Sequence, residues 1–233
     1  MNSGSSRHKM KKRVIERYQL ADSRYFIFCE GEKTEPQYFE GLKKAIEKNP
    51  LYRGKIFIDI EGVGAETIKV IEAAEKKVND LELNDAQVWC IYDKDSFPDE
   101  RFNRVAEKAN ELSNNNFNVK YNVGWSNQCI EYWFILHFNF YDINNDRKYY
   151  IEFLNKRFKK LGIGKYKKNS AETFEILQNK GNPKQAISWA KQRLGECSGL
   201  TDSQSAPATK AHELVEELAR FLPDDLRYKY ITD

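Results

Sequence analysis

No stretch of the 233-residue chain reaches the roughly 18 apolar residues that a membrane-spanning helix needs. The first residues, MNSGSSRHKMKKRVIER, carry charge with no apolar block behind it, so a secretory signal peptide is not expected. Cysteine and histidine are scarce, at four and three residues. Cys29, Cys90, Cys129 and Cys197 stand far apart with no CxxC pair, which argues against a structural zinc site. Most of them sit inside apolar runs, so buried free thiols in a reducing cytoplasm are the expectation. Gly62-Val63-Gly64 lacks the third glycine of a dinucleotide fingerprint, and no GKS or GKT marks a P-loop. It reads as a tight turn.

A strong charge of one sign is also missing, since the net charge is +3. The distribution says more than the sum. Arg7, Lys9, Lys11, Lys12 and Arg13 crowd the N-terminus, and Arg147 to Lys168 forms a second basic block opposed by Glu152 alone. Two basic blocks on a near-neutral chain suggest a polyanionic partner. Within the second, Tyr166 lies among Lys165, Lys167 and Lys168, a cluster suited to stacking a base and holding phosphates.

The chain is 40% hydrophobic, enough for a buried core. Residues 24–29, 55–60, 88–92 and 118–123 are short runs rich in β-formers, and three of the four are nearly continuous in apolar character, as in strands buried on both faces. Helical patterns over 34–48, 65–81 and 98–115 alternate with them. This alternation predicts an α/β fold: a mostly parallel four-stranded sheet flanked by helices. After residue 126 the pattern turns helical, over 128–138, 147–161, 170–178, 183–195 and 209–221. The expected organisation is a basic flexible arm (1–20), an α/β core (21–126) and a helical annex packed on it (127–233).

Open parallel sheets bind ligands beyond the carboxyl ends of their strands. The first strand runs into Glu30-Gly31-Glu32-Lys33-Thr34-Glu35, and the third into Asp93-Lys94-Asp95. Carboxylates leaving two strand ends can aim oxygens at one hard cation such as Mg²⁺ or Mn²⁺. Gly31 lets backbone pass close to a phosphate, and Lys33 can pair with it. Glu131 stands among Ile130, Trp133, Phe134 and Ile135, where an unpaired carboxylate is costly, so it either pairs with a buried cation or faces this site.

The strand–Glu-Gly loop followed by a strand–DxD resembles the Toprim fold of topoisomerases, bacterial primases and OLD-type nucleases. Over nearly the whole chain, the closer resemblance is to the RloB-like family, grouped with AbiL-type abortive-infection proteins. It rests on FCEGEKTEPQYFEGL (28–42), VWCIYDKD (88–95), WSNQCIEYWFILHF (125–138), GKYKKN (164–169) and APATKAHELVEEL (206–218). The resemblance implies that Glu30 is a metal ligand or general base and that Asp93 and Asp95 hold Mg²⁺. Glu35 is a possible further ligand, although its spacing is one residue longer than in OLD-like loops. A third acid after DxD is missing, since Phe97 occupies that position. The implied activity is a metal-dependent nuclease acting on DNA or RNA, with Glu30, Lys33 and Glu131 in catalysis. Its setting would be cytoplasmic anti-phage defence, beside an ATPase partner of ABC or AAA type. The alternatives are a non-enzymatic nucleic-acid-binding or effector-sensing module on the same fold, and a nucleotidyl- or strand-transfer enzyme.

Overall fold

The computed structural model describes residues 15–231. Strands β1 (Ser23–Cys29), β2 (Ile56–Gly62), β3 (Ala86–Ile91) and β4 (Val119–Val123) form one sheet in the order β2-β1-β3-β4. Every neighbouring pair is parallel. Helices α1 (Thr34–Glu47), α2 (Thr67–Leu81) and α3 (Asp99–Asn115) are the crossovers that parallel strands require.

The two-residue period of β1 sorts its side chains between two cores. Tyr25, Ile27 and Cys29 face a core shared with Trp89, Ile91 and the α1 residues Tyr38, Phe39 and Leu42. Phe26 and Phe28 face the other, with Val88, Cys90, Val70 and Ile71 of α2 and Phe102 and Val105 of α3. Both faces are therefore dry, which accounts for the continuous apolar runs. All four cysteines are buried and free.

The C-terminal part adds α4 (Glu131–Leu136), α5 (Arg147–Lys160), α6 (Thr173–Lys180), α7 (Pro183–Glu196), α8 (Ala211–Ala219) and the short α9 (Asp224–Arg227). These helices complete the α1 face: Trp133, Phe134, Leu154, Phe174, Ala186 and Leu214 join the same core as Tyr25 and Ile27. At its centre Trp133 Nε1 donates to Tyr38 Oη at 2.9 Å. Among the described residues no helix is long and apolar enough to cross a membrane.

Three local expectations are corrected. The arm does not extend to residue 20, because residues 15–20 are helical and Tyr18 is buried. The Tyr18 ring meets Phe26 and Phe57, and its hydroxyl donates to Asp85 O at 3.0 Å. The helix expected over 128–138 is only Glu131–Leu136. Its expected first turn is instead a bend and turn, leading on from a two-residue strand β5 (Ser126–Asn127), which pairs antiparallel with β6 (Ala208–Thr209). The second of these two strands was expected to lie partly within the last helical pattern, which begins instead at Ala211.

Candidate functional site

β1 sends its connection to one side of the sheet and β3 to the other. The crevice between two such strands is where an open parallel sheet holds ligands. Glu30 leaves β1 there and bridges the two strand ends. Its N–H donates to Ile91 O at 2.9 Å, and its Oε2 accepts the Asp93 N–H at 3.1 Å. Thr67, opening α2, donates to Glu30 Oε1 at 3.5 Å. Burial raises the Glu30 carboxyl to about 7; the Asp93 N–H opposes this, while the charges of Asp95 and Glu35 add to it.

A Cβ at Gly31 would collide with Glu35 Oε2. Glycine there lets the Glu35 side chain fold beneath the loop. Glu35, in the first turn of α1, is buried. Burial pushes its carboxyl up, and the charges of Glu131 and Asp95 push the same way, against its own backbone hydrogen bond and Lys168.

Asp93 is 7% exposed, and its Oδ1 is buried with no hydrogen-bond partner. Burial, then the charges of Glu35, Glu131, Asp95 and Glu30, drives its carboxyl well above the usual range. The loop after it is clamped by β5 and the bend that follows it. Ser126 O accepts the Lys94 N–H and Gln128 O accepts the Asp95 N–H, both at 2.9 Å. Asp95 is thereby held at φ +38°, a left-handed conformation unusual for a residue with a side chain. Its carboxylate accepts two hydrogen bonds from Arg147 Nη1, at 2.7 and 2.9 Å. Burial still raises it, with Arg147 and Lys168 opposing. Lys94, between the two acids, turns away to Asp99 at 3.1 Å.

Glu131 is fully buried at the start of α4. Oε1 accepts the Tyr166 hydroxyl at 3.0 Å, while Oε2 has no partner. Its charge acts on Asp93, Glu35 and Asp95, so it belongs to the same cluster.

The reading of Tyr166 as a base-stacking platform is corrected. It is 7% exposed, packed against Phe134 and Phe158 and tied to Glu131. Its neighbours Lys165, Lys167 and Lys168 are exposed. The segment is also held at Asn169, whose Oδ1 accepts the Thr34 hydroxyl at 3.2 Å. Lys33 is exposed on the loop between Glu30 and α1. Arg7, Lys9, Lys11, Lys12 and Arg13 lie outside the described residues. His137 and His212 are buried, each with Nδ1 against a nearby backbone carbonyl, and burial lowers both to about 4.

Arg147 is the site residue that sequence reasoning did not single out. One signal for it exists. It is the first residue of α5, behind the Asp146 cap, where the helix dipole disfavours a cation. Lys148 shares that place, so the signal marks the pair and not Arg147 alone.

Among the described residues no three His, Cys, Asp or Glu side chains converge closely enough to hold a metal ion as they stand. Two of the candidate ligands are engaged elsewhere: Glu30 on the Asp93 N–H and Asp95 on Arg147. Ligand convergence requires these side chains to rotate. What fits a cation is the donor chemistry: hard oxygens, two of them buried and unpartnered.

No curated protein and no solved structure matches the chain significantly. The family described as RloB-like protein matches residues 25–218, a span that begins in β1, takes in both acidic loops and ends in α8. The chain belongs to the RloB-like family.

Proposed function

We propose that the protein is a metal-dependent nuclease that hydrolyses phosphodiester bonds in DNA or RNA, with Mg²⁺ or Mn²⁺ held by Glu30, Asp93 and Asp95, and Glu35 as a further ligand. The observation that carries this reading is the pair of buried oxygens, Asp93 Oδ1 and Glu131 Oε2, left without a donor inside a cluster of carboxyl groups. Buried acids without partners are unfavourable by several kcal/mol unless protonated or met by a cation, on the order of the cost of an unpaired buried ion.

A divalent ion there would supply positive charge to a phosphoryl oxygen and acidity to water. Burial raises the Glu30 carboxyl to about 7 in the metal-free protein; there it can take a proton at neutral pH, whereas bound to the ion it would serve as a ligand and not as the base. The exposed ammonium groups of Lys33 and Lys168 supply charge for the negative transition state. Tyr166 holds one oxygen of Glu131 and leaves the other free. A Toprim-like ancestry, an ATPase partner of ABC or AAA type and a role in anti-phage defence are part of the same proposal, through the family.

The test is incubation of purified protein with Mg²⁺ or Mn²⁺ and a panel of duplex DNA, single-stranded DNA, tRNA and other RNA. Hydrolysis of one class, abolished by EDTA, is the expected result. Binding without hydrolysis under every metal condition would replace the nuclease with a binding module.

The basic N-terminus should contribute affinity and not chemistry. Because Tyr18 is part of the core, the informative truncation removes residues 1–14 only. It should weaken nucleic-acid binding about tenfold at low salt and flatten the salt dependence, since each neutralised phosphate releases counterions. A binding titration with an unchanged slope would show that Arg7 to Arg13 make no phosphate contacts.

A further inference from the structure

We propose that Arg147 is a placeholder cation: it neutralises Asp95 while metal is absent and, once a divalent ion takes that carboxylate, turns to hold a phosphate of the nucleic acid. The proposal rests on the metal-dependent reading above and assigns a residue that reading does not use.

Three observations converge on it. Arg147 makes two hydrogen bonds to Asp95, at 2.7 and 2.9 Å, so the second acid of the DxD pair already carries a positive charge. Both oxygens of the Asp95 carboxylate accept from Arg147, so a metal that takes this carboxylate must displace the guanidinium. Arg147 sits in the first turn of α5, where a cation opposes the helix dipole. The contact with Asp95 offsets that opposition.

The guanidinium is only partly buried, with 36% of its side chain exposed. It can swing toward solvent without breaking the core. A planar fork of donors suits a phosphate as well as it suits a carboxylate. Lys148 follows it, and the exposed Lys165, Lys167 and Lys168 flank the same cluster through Lys168, whose charge acts on Asp95 and Glu35. A phosphate bound there would lie beside the carboxylates and not at a remote patch.

Calorimetric titration of MnCl₂ into metal-free wild type, Arg147→Gln and Arg147→Lys, without nucleic acid, reads the first half. Arg147→Gln should bind Mn²⁺ about five- to tenfold more tightly, because a competing charge is gone. Arg147→Lys should fall between the two. The second half is read by anisotropy of fluorescent DNA and RNA oligonucleotides in Ca²⁺. There Arg147→Gln should bind about tenfold more weakly, with Arg147→Lys again intermediate.

Tighter metal together with weaker oligonucleotide binding supports the proposal. Equal Mn²⁺ affinity in wild type and Arg147→Gln would overturn it, leaving the ion pair as an anchor for α5. Tighter metal with unchanged oligonucleotide affinity would overturn the phosphate role. Wild type that binds no Mn²⁺ sinks the metal reading itself, and this inference with it.

Discussion

Asp93→Asn and Glu30→Gln proteins should each cleave nucleic acid at least about a thousandfold more slowly than wild type, because ligand and base chemistry account for several kcal/mol of the barrier. Neither should unfold. The Glu30→Gln side chain keeps an oxygen that can accept the Asp93 N–H, the contact that joins β1 to β3. Asp93→Asn removes a buried acid whose Oδ1 has no partner, so a neutral amide stands there at lower electrostatic cost. The measurement pairs single-turnover cleavage at saturating Mg²⁺ with a thermal melt of each variant. Near wild-type cleavage by either would remove that residue from the chemistry. Loss of activity with a collapsed melt would mean that only the fold had been tested.

The second large effect concerns stability and does not require the substrate. Burial raises Glu30 to about 7 and pushes Glu35, Asp93 and Asp95 upward as well. A carboxyl that binds its proton more tightly when folded than when unfolded stabilises the fold fully below its unfolded value. That contribution is lost as pH rises through the folded value. Metal-free wild type should therefore lose melting temperature relative to the Asp93→Asn/Asp95→Asn double variant as pH goes from 5 to 8. A gap of several degrees is expected for a chain of this size. His137 and His212, lowered to about 4, act in the opposite sense below pH 6.5. Taking the difference between the two proteins cancels them. Millimolar MnCl₂ binds only the folded state, so it should raise the wild-type melting temperature, and more at pH 8 than at pH 6 because protons compete for the same oxygens. The double variant should show little shift. Equal shifts in the two proteins at every pH would mark these acids as ordinary loop carboxylates.

Much of the fold could be read in the sequence because the sheet is dry on both faces. A strand such as Arg24-Tyr25-Phe26-Ile27-Phe28-Cys29 must be apolar at nearly every position, and its end is then easy to find. Glu30 and Asp93 were legible for the same reason: each is the first acid after such a run. Contacts made over long sequence separations were not legible. Arg147 reaches Asp95 across 52 residues, and no local pattern announces that pair. Tyr166 misled because three flanking lysines suggest solvent, whereas its ring is covered by Phe134 and Phe158. The β5–β6 pair has two residues per strand, too short for any period to show. Its signal was hidden further by Ser126 and Thr209, polar side chains that are buried because their hydroxyls bond each other at 2.9 Å.

That small pairing has a consequence for how the molecule comes into being on the ribosome. Asp93 bridges to Ser126, and Ser126 is paired with Thr209. Ser126 follows β4 closely, but its partner Thr209 comes more than eighty residues later, so β6 is not there to back the Asp93–Ser126 bridge when β3 and β4 emerge. Over the same interval Tyr25, Ile27 and Trp89 lack most of the helices that cover them. At about 5–20 residues per second this is an exposure of several seconds, in which a half-covered sheet is open to wrong partners. The pair that backs the Asp93 loop is thus completed only when β6 arrives.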